Sequence, residues 1–441
     1  MVRSHQLIPF ALNTVYTVAA PFVWNSMRKK ARLRGYSTAR MKGFFTRNLP
    51  TNSPGYNDVT RCWLHAVSVG ESIAAGALFK ELKKERRQWD YLVTTATETG
   101  QRQARESLRG ADRFAFAPYD HSLCVNRFLN HYRPSLYCFF ETEFWPNLLL
   151  QLQNRSTPVF LVNGKLSEKS AKNYRRYRAI FRPALHAAQH YYMQTQQDAE
   201  RLESIIGKTT RITVSGNLKF DALPHSLLPQ ERAELRACWG INDSEILIIA
   251  GSTHPREEEL LLQAWKQAKE SVPNLRLALV PRHPERFSEV EALIQAQGEL
   301  PQRTSALNNT PPGNAVLLGD EMGRLSTWFG ASDLAVVGGA WNPIGGHNLL
   351  EPAIHGVPVI RGPHMHAQPD IVRVLTPQQG GLMIEEHELT QSFIKLAQNH
   401  EYRKQLGAAA QSAAQSCKGA ANRVAKHILA LTNQHSSSKL Y

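Results

Sequence analysis

The chain has 441 residues, too many for one ordinary hydrophobic core, so two domains are expected. A hydrophobic fraction of 42% with a charged fraction of 20% excludes an intrinsically disordered chain. The formal net charge of +15 calls for an anionic partner: nucleic acid, a membrane surface or an acidic substrate.

The charge is concentrated at the start. Arg3, Arg28, Lys29, Lys30, Arg32, Arg34, Arg40, Lys42 and Arg47 all precede the first acidic residue, Asp58. Residues 7–24 carry no formal charge over 18 positions, the lower limit for a helix that crosses a bilayer. Pro9, Asn13 and Pro21 interrupt the apolar run, while Tyr16 and Trp24 suit a membrane interface. Most of the basic residues follow the apolar run, the reverse of a cleaved signal peptide. The positive-inside rule keeps them, and everything after them, in the cytoplasm. Residues 1–35 are therefore expected to be a single N-terminal anchor with a basic segment, spanning the membrane or lying on it. The alternative is an amphipathic or buried first helix of the first domain.

From residue 61, short apolar runs alternate with helical stretches. Strands are predicted at 62–67, 91–95, 113–117, 136–140, 159–163 and 190–194, with helices such as 72–87, 121–132 and 170–182 between them. A second series has strands at 246–250, 275–280, 315–318, 334–337 and 358–360, and helices at 257–271, 285–297, 323–331 and 348–355. This rhythm predicts an α/β fold with two parallel, doubly wound sheets. The expected division is an N-terminal Rossmann-like domain over 36–222, a linker over 223–241, and a C-terminal Rossmann-like domain over 242–441. That last domain includes an Ala-rich C-terminal helix from Ala408, free to pack back across the first domain, and a frayed tail at 436–439. Ligands of such sheets bind at the carboxyl ends of the strands. Five cysteines (Cys62, Cys124, Cys138, Cys238 and Cys417) form no C-x-x-C pair, which suits a reducing compartment.

Several predicted strands run into short polar segments. In HAVSVGES, Glu71 opens a helix; it reads equally as a general base or as an acid meeting the helix dipole. In FETEFWPN, Glu141 and Glu143 stand two apart, a surface pair or a buried pair in need of a cation, for which Lys219 in GNLKFD is available. In the second series, GSTH (Ser252, Thr253) presents main-chain N–H groups that could hold a phosphate, and PRHPER (Pro281, Arg282) supplies guanidinium groups. GGHNLLEP (Gly346, His347, Asn348, Leu349, Leu350, Glu351) is a glycine-rich loop opening a helix, with Glu351 placed to accept from a ribose diol. Ordinary turn and capping chemistry accounts for each of these three equally well. No P-loop and no D-x-D occurs, and metal binding by His364 and His366 is not expected.

Together the segments HAVSVGE, FETEFWPN, NGKLSEKS, GNLKFD, GSTH, VPRHPER, LGDEMG and GGHNLLEPAIHGVPVI resemble the bacterial 3-deoxy-D-manno-octulosonic acid (Kdo) transferases, in order and over about residues 63–363. The resemblance implies a GT-B fold, two tandem Rossmann-like domains facing a central cleft. It implies transfer of Kdo from CMP-Kdo to lipid IVA, the lipid A precursor, in lipopolysaccharide synthesis. It assigns Glu71 as general base and Glu141 and Lys219 as transition-state stabilisers. Pro281, Arg282, Met322, Gly323, Arg324, Asn348, Leu349, Leu350 and Glu351 would bind CMP, with Ser252, Thr253, Gly346 and His347 as further phosphate or substrate contacts. No cofactor or metal is implied. The partners would be the donor, the lipid acceptor and anionic lipids at the cytoplasmic face of the inner membrane, with no nucleic acid. Three departures stand out: Gly164-Lys165 where the family has Ala-Arg, Arg324 where it has Glu, and His366-Ala367-Gln368 after the Gly-Pro-His segment. A sugar-nucleotide epimerase of the same fold and a non-catalytic basic membrane-surface protein are the competing readings.

Overall fold

The computed structural model describes residues 4–34, 39–47, 49, 59–307, 314–376 and 380–437. Of the tail expected to fray, residues from 438 lie outside the described residues. The chain divides into two compact units: one holds the residues to Ala222 together with those from Lys418, the other Leu223–Cys417.

The first unit contains seven strands: β1 Arg61–His65, β2 Asp90–Thr95, β3 Arg113–Phe116, β4 Leu136–Phe140, β5 Val159–Gly164, β6 His190–Met193 and β7 Ile212–Val214. They form one parallel sheet in the order β3-β2-β1-β4-β5-β6-β7. Every residue of β1, β2, β4, β5 and β6 is buried, as expected of strands covered by helices on both faces. The strand order reverses between β1 and β4, and the segments leaving those two strands carry Glu71 and Glu141.

The second unit repeats the design with β8 Ile246–Thr253, β9 Leu275–Pro281, β10 Pro301–Arg303, β11 Val316–Leu318, β12 Leu334–Val337, β13 Val359–Arg361 and β14 Gly381–Met383. Its parallel order is β10-β11-β9-β8-β12-β13-β14, with the reversal between β8 and β12. The GSTH segment closes β8, and the Gly338-Gly339 turn follows β12.

Two boundaries differ from those drawn on the sequence. Residues 223–241 are not all linker, because Pro229–Cys238 is a helix of the second unit. Arg236 fixes it there: buried at 2% exposure, it donates to the Asp333 carboxylate and to the carbonyls of Ala331, Asn242 and Glu245. The last helix, Ala420–Ser437, belongs to the first unit and not to the domain over 242–441. Its residues Ala420, Ala421, Val424, Ala425 and Ile428 are buried in one core cluster with Leu78, Phe79 and Leu82 of the helix Val69–Glu85. A helix with an apolar stripe stabilises whichever sheet face lacks a cover.

Among the described residues no helix is long and apolar enough to cross a membrane. The first helix, Ser4–Arg34, packs on its own unit through polar side chains. Asn13 exchanges hydrogen bonds with Ser122 and accepts one from Asn147, and the Tyr16 hydroxyl donates to the buried Asp120. Val15, Val18 and Phe22, at 62, 65 and 73% exposure, point the other way. Their three- and four-residue spacing puts them on one stripe.

Asp221 anchors the last helix by accepting from the main-chain N–H groups of Gly419 and Ala421, the second at 2.8 Å. Replacing Asp221 by Ala leaves both amides without that acceptor, at a cost of about 1–2 kcal/mol, the range for losing a helix cap. Hydrogen exchange should quicken across 420–437 while the strands of the second unit keep their protection.

Candidate functional site

In the first unit the site begins where β1 ends. Ser68 caps the helix Val69–Glu85, its side chain accepting from the Glu71 amide. The Glu71 carboxylate folds back to accept from the Val67 amide at 2.8 Å and the Ser68 hydroxyl at 3.0 Å. Two of the roughly four acceptor positions of a carboxylate are thereby used. Glu71 is only 4% exposed, and burial pushes its pKa up to about 7. The Val67 hydrogen bond opposes that rise, while the charges of Glu141 and Glu143 add to it. A carboxyl balanced near neutrality can take a proton at physiological pH and release it again.

Glu141, the first residue after β4, sits at φ 58°, a left-handed conformation costly for a side chain of this size. That turn brings its Oε1 to 2.8 Å from the Lys219 Nζ. Lys219 lies in the one-turn helix Leu218–Ala222 after β7, and a Cβ on Gly70 would stand 2.8 Å from its Nζ. Gly70 is thus the slot through which the ammonium reaches Glu141. Asn163 at the end of β5 holds this arrangement: fully buried, at φ 55°, its Oδ1 accepts from the Leu218 amide at 2.9 Å. An Asn before a Gly at a strand end, as in Asn163-Gly164, is the sequence signal for a left-handed turn. Glu143 does not join the ion pair, because it accepts from the Trp145 indole at 3.0 Å, and burial raises its pKa.

In the second unit one of the main-chain N–H groups of GSTH is already engaged. The His254 amide is not free for a phosphate: together with those of Gly339, Ala340 and Trp341 it donates to the carboxylate of Glu257, at 2.8–3.1 Å. The protein supplies its own anion to the amides at the switch between β8 and β12. The amides of Gly345 and Gly346 are also taken, both by the Gly339 carbonyl. Six main-chain amides of these turns are thus already engaged within the protein.

Side chains converge here from several strand ends. His254 after β8 and His347 in the glycine-rich loop place their Nε2 atoms 2.8 Å apart. His283 sets its ring edge-on to His254, with centroids 5.4 Å apart. Burial, aided by the charges of His254, Arg282 and His283, pushes the His347 pKa down to about 4. Glu351 accepts from the Asn348 amide group at 3.2 Å; burial raises its pKa and Arg282 counters the rise. The Asn348 side-chain oxygen also accepts from the amide of Leu350, the first residue of the short helix Leu350–Ala353. Arg282, Met322, Gly323 and Arg324 are exposed on the turns after β9 and β11. Pro281, Leu349 and Leu350 are buried, so only their backbone is available to a ligand. Ser252 sits at φ 56° in the irregular end of β8, and the neighbouring Thr253 is fully buried with no partner for its Oγ1 among the described residues.

Solved structures of low identity resemble this fold. The UDP-GlcNAc 2-epimerase of Neisseria meningitidis matches with a TM-score of 0.57 at 15% identity, over 85% of this chain and 100% of that one. A glycosyltransferase from Rickettsia africae matches with a TM-score of 0.56 at 11% identity, over 86% and 99%. These likenesses identify the two-sheet architecture shared by GT-B glycosyltransferases and epimerases. Sequence comparison is more specific. A family model described as 3-deoxy-D-manno-octulosonic-acid transferase (kdotransferase) matches residues 30–222. The 3-deoxy-D-manno-octulosonic acid transferase of Haemophilus influenzae is 33% identical over 365 residues, covering 82% of this chain and 85% of the relative. The enzyme of that name from Bordetella pertussis is 32% identical over 378 residues, covering 81% and 85%. Identity at that level over four fifths of both chains takes in the motifs of both units, and the chain belongs to the Kdo transferase family.

Proposed function

We propose that the chain transfers Kdo from CMP-Kdo to a hydroxyl of lipid IVA with inversion, and that Glu71 is the general base. The observation that carries this reading is the Glu71 carboxyl, buried at a switch point, with its pKa near 7 and half of its acceptor capacity unspent. Glu71 takes the acceptor's proton as its oxygen attacks the anomeric carbon. Lys219, steadied by Glu141, offers its ammonium to the negative charge that builds up in the transition state. The second unit holds CMP: Arg282 and Arg324 meet the phosphate, and Asn348 with Glu351 the ribose, while Pro281, Met322, Gly323, Leu349 and Leu350 shape the pocket. Cationic side chains do the work of charge neutralisation, so this reading needs no metal. An epimerase has the fold alone in its favour.

We further place the protein on the cytoplasmic face of the inner membrane, held by the helix Ser4–Arg34 lying on the surface. Its inward polar contacts and outward Val15, Val18 and Phe22, followed by exposed Arg28 and Lys29, are the arrangement of an interfacial helix.

Purified protein should form Kdo–lipid IVA from CMP-Kdo, and Glu71→Gln should lose at least about a hundredfold in rate, the usual scale for a general base. A wild type that makes no product with this donor and acceptor sinks the assignment. Because the base works only when ionised, the rate should rise with pH through about 7. Glu141→Gln removes one of the charges that raise the Glu71 pKa, so its residual activity should show that rise at lower pH. In flotation with vesicles containing anionic lipid, Val18→Asp combined with Phe22→Asp should abolish binding that the wild type shows at low salt. Unchanged flotation would remove the helix from the membrane contact.

A further inference from the structure

The second unit carries another cluster of cations, at the end of its sheet away from the GSTH and glycine-rich segments. Asp333 directly precedes β12 and Pro358 directly precedes β13, so both stand at the amino ends of their strands. There a pocket of about 230 Å³ opens between four segments of this unit. They are the helix Pro229–Cys238, the end of the helix Leu325–Ala331, the turn 355–358 and the start of the helix His400–Ser416. Arg232, Asp333, Arg403 and Lys404 are its charged lining, and His355 stands among them.

The single acid of that lining is already satisfied. Asp333 accepts from the buried Arg236 at 2.9 Å, from the Leu247 amide at 2.9 Å and from Arg232 at 2.7 Å. One guanidinium neutralises one carboxylate, so with Arg236 counted against Asp333 the charges of Arg232, Arg403 and Lys404 are left over. Of the acids on the same helices, Glu231 accepts from the Leu228 amide and Glu234 from Gln230, and neither they nor Glu401 line the pocket. Arg403 is held through Nη1, which donates to the Leu396 and Ala397 carbonyls at the end of the preceding helix. Burial lowers the Arg403 pKa, and the charge of Asp333 only partly restores it. A further anion beside this guanidinium removes that deficit.

The wall opposite is fixed by the fold. The Leu227 amide donates to His355 Nδ1 at 3.1 Å, so the neutral ring carries its proton on Nε2 and is a donor there. Gly330 makes room for this contact, because a Cβ there would stand 2.6 Å from a Leu227 methyl and 2.8 Å from the ring nitrogen. Size and charge then narrow the ligand. Sites for drug-sized molecules run to about 300–1,000 Å³, so this pocket suits a smaller group. Surplus guanidinium and ammonium charge selects an oxyanion of more than one negative charge.

We propose that this pocket binds a phosphate group, as the free anion or as the monoester headgroup of a lipid, at the other end of the sheet from the strand ends assigned to CMP. The bound anion braces the helix near the start of the unit, through Arg232, to the helix with which the unit ends, through Arg403 and Lys404.

The test is calorimetric titration of the full-length protein with inorganic phosphate at low ionic strength, where such contacts are least screened. Arg282→Ala combined with Arg324→Ala removes exposed cations from the CMP end and should leave this binding in place. Adding Lys404→Glu should weaken it about tenfold or more, the loss of one charge-assisted contact. Lys404 is exposed, and its side chain makes no hydrogen bond or ion pair among the described residues, so the substitution leaves the fold intact. In the wild type, phosphate should slow hydrogen exchange at residues 227–238 and 400–405. Short-chain phosphatidate distinguishes the sources: affinity at least about tenfold above that of phosphate, lost with Lys404→Glu, assigns a lipid headgroup, and affinity no better assigns the free anion. Binding that survives Lys404→Glu, protection confined to the turns after β8, β9 and β12, or no binding of either compound overturns the inference.

Discussion

A parallel sheet buried on both faces meets solvent and ligand only at its strand ends, and there the main chain must leave the sheet with its N–H groups unpaired. Each unit solves this at its switch point with a glutamate at the start of the next helix. In the second unit Glu257 accepts from four amides, which fills its acceptor positions and turns the strand ends into a closed, internally neutralised brace. In the first unit Glu71 accepts from one amide and one hydroxyl. Burial raises the pKa of both acids, so desolvation alone does not separate their roles. The number of donors does. A carboxylate with all its lone pairs engaged is held as a structural anion, and one with half of them engaged keeps room for a proton.

The same constraint explains where strain is accepted. Glu141, Asn163 and Ser252 end β4, β5 and β8, and each adopts a left-handed conformation without being glycine. A side chain at that point leaves its strand at an angle that ordinary extended backbone cannot give. Glu141 meets Lys219 in this way, and Asn163 grips the turn on which Lys219 rides. Hydrogen bonds and an ion pair to neighbouring strand ends hold the strained residues in place. The charges that would serve chemistry are therefore fixed by the sheet before any substrate arrives.

Much of this was legible in the sequence, for identifiable reasons. The central strands are runs of buried apolar residues, so β1, β2, β4 and β8 stand out, whereas β7, β10 and β14, three residues each at or near sheet edges, do not. The partnership of Glu141 with Lys219, 78 residues apart, is one of two readings the sequence leaves open, the other being a solvated surface pair, and the ion pair at 2.8 Å decides for it. By contrast, Glu257 reads as one of three acids in the first turn of a helix, Glu257 to Glu259, and no local pattern singles it out. The His254–His347 contact joins positions 93 apart, and only the folded chain shows that the rings meet. The C-terminal helix carries an apolar stripe but no mark of which sheet it covers.

The departures from the family pattern then separate by the constraint each position is under. A Cβ on Gly164 would stand 2.5 Å from the Met193 sulfur and 3.2 Å from a Leu161 methyl. With methionine on the neighbouring strand, glycine is the residue that fits, so this change is matched by packing inside the first sheet. Lys165, next along, is exposed. Arg324 is exposed as well, on a turn where Gly323 takes φ 80° and a Cβ at Gly323 would meet nothing within 4 Å. Nothing in the packing requires an acid or a base there, so the change of sign is left to act on whatever binds in front of the turn. Arg282 after β9 and Arg324 after β11 both expose their guanidinium groups at the strand ends of the second unit. Guanidinium groups at strand ends suit a phosphate-bearing ligand.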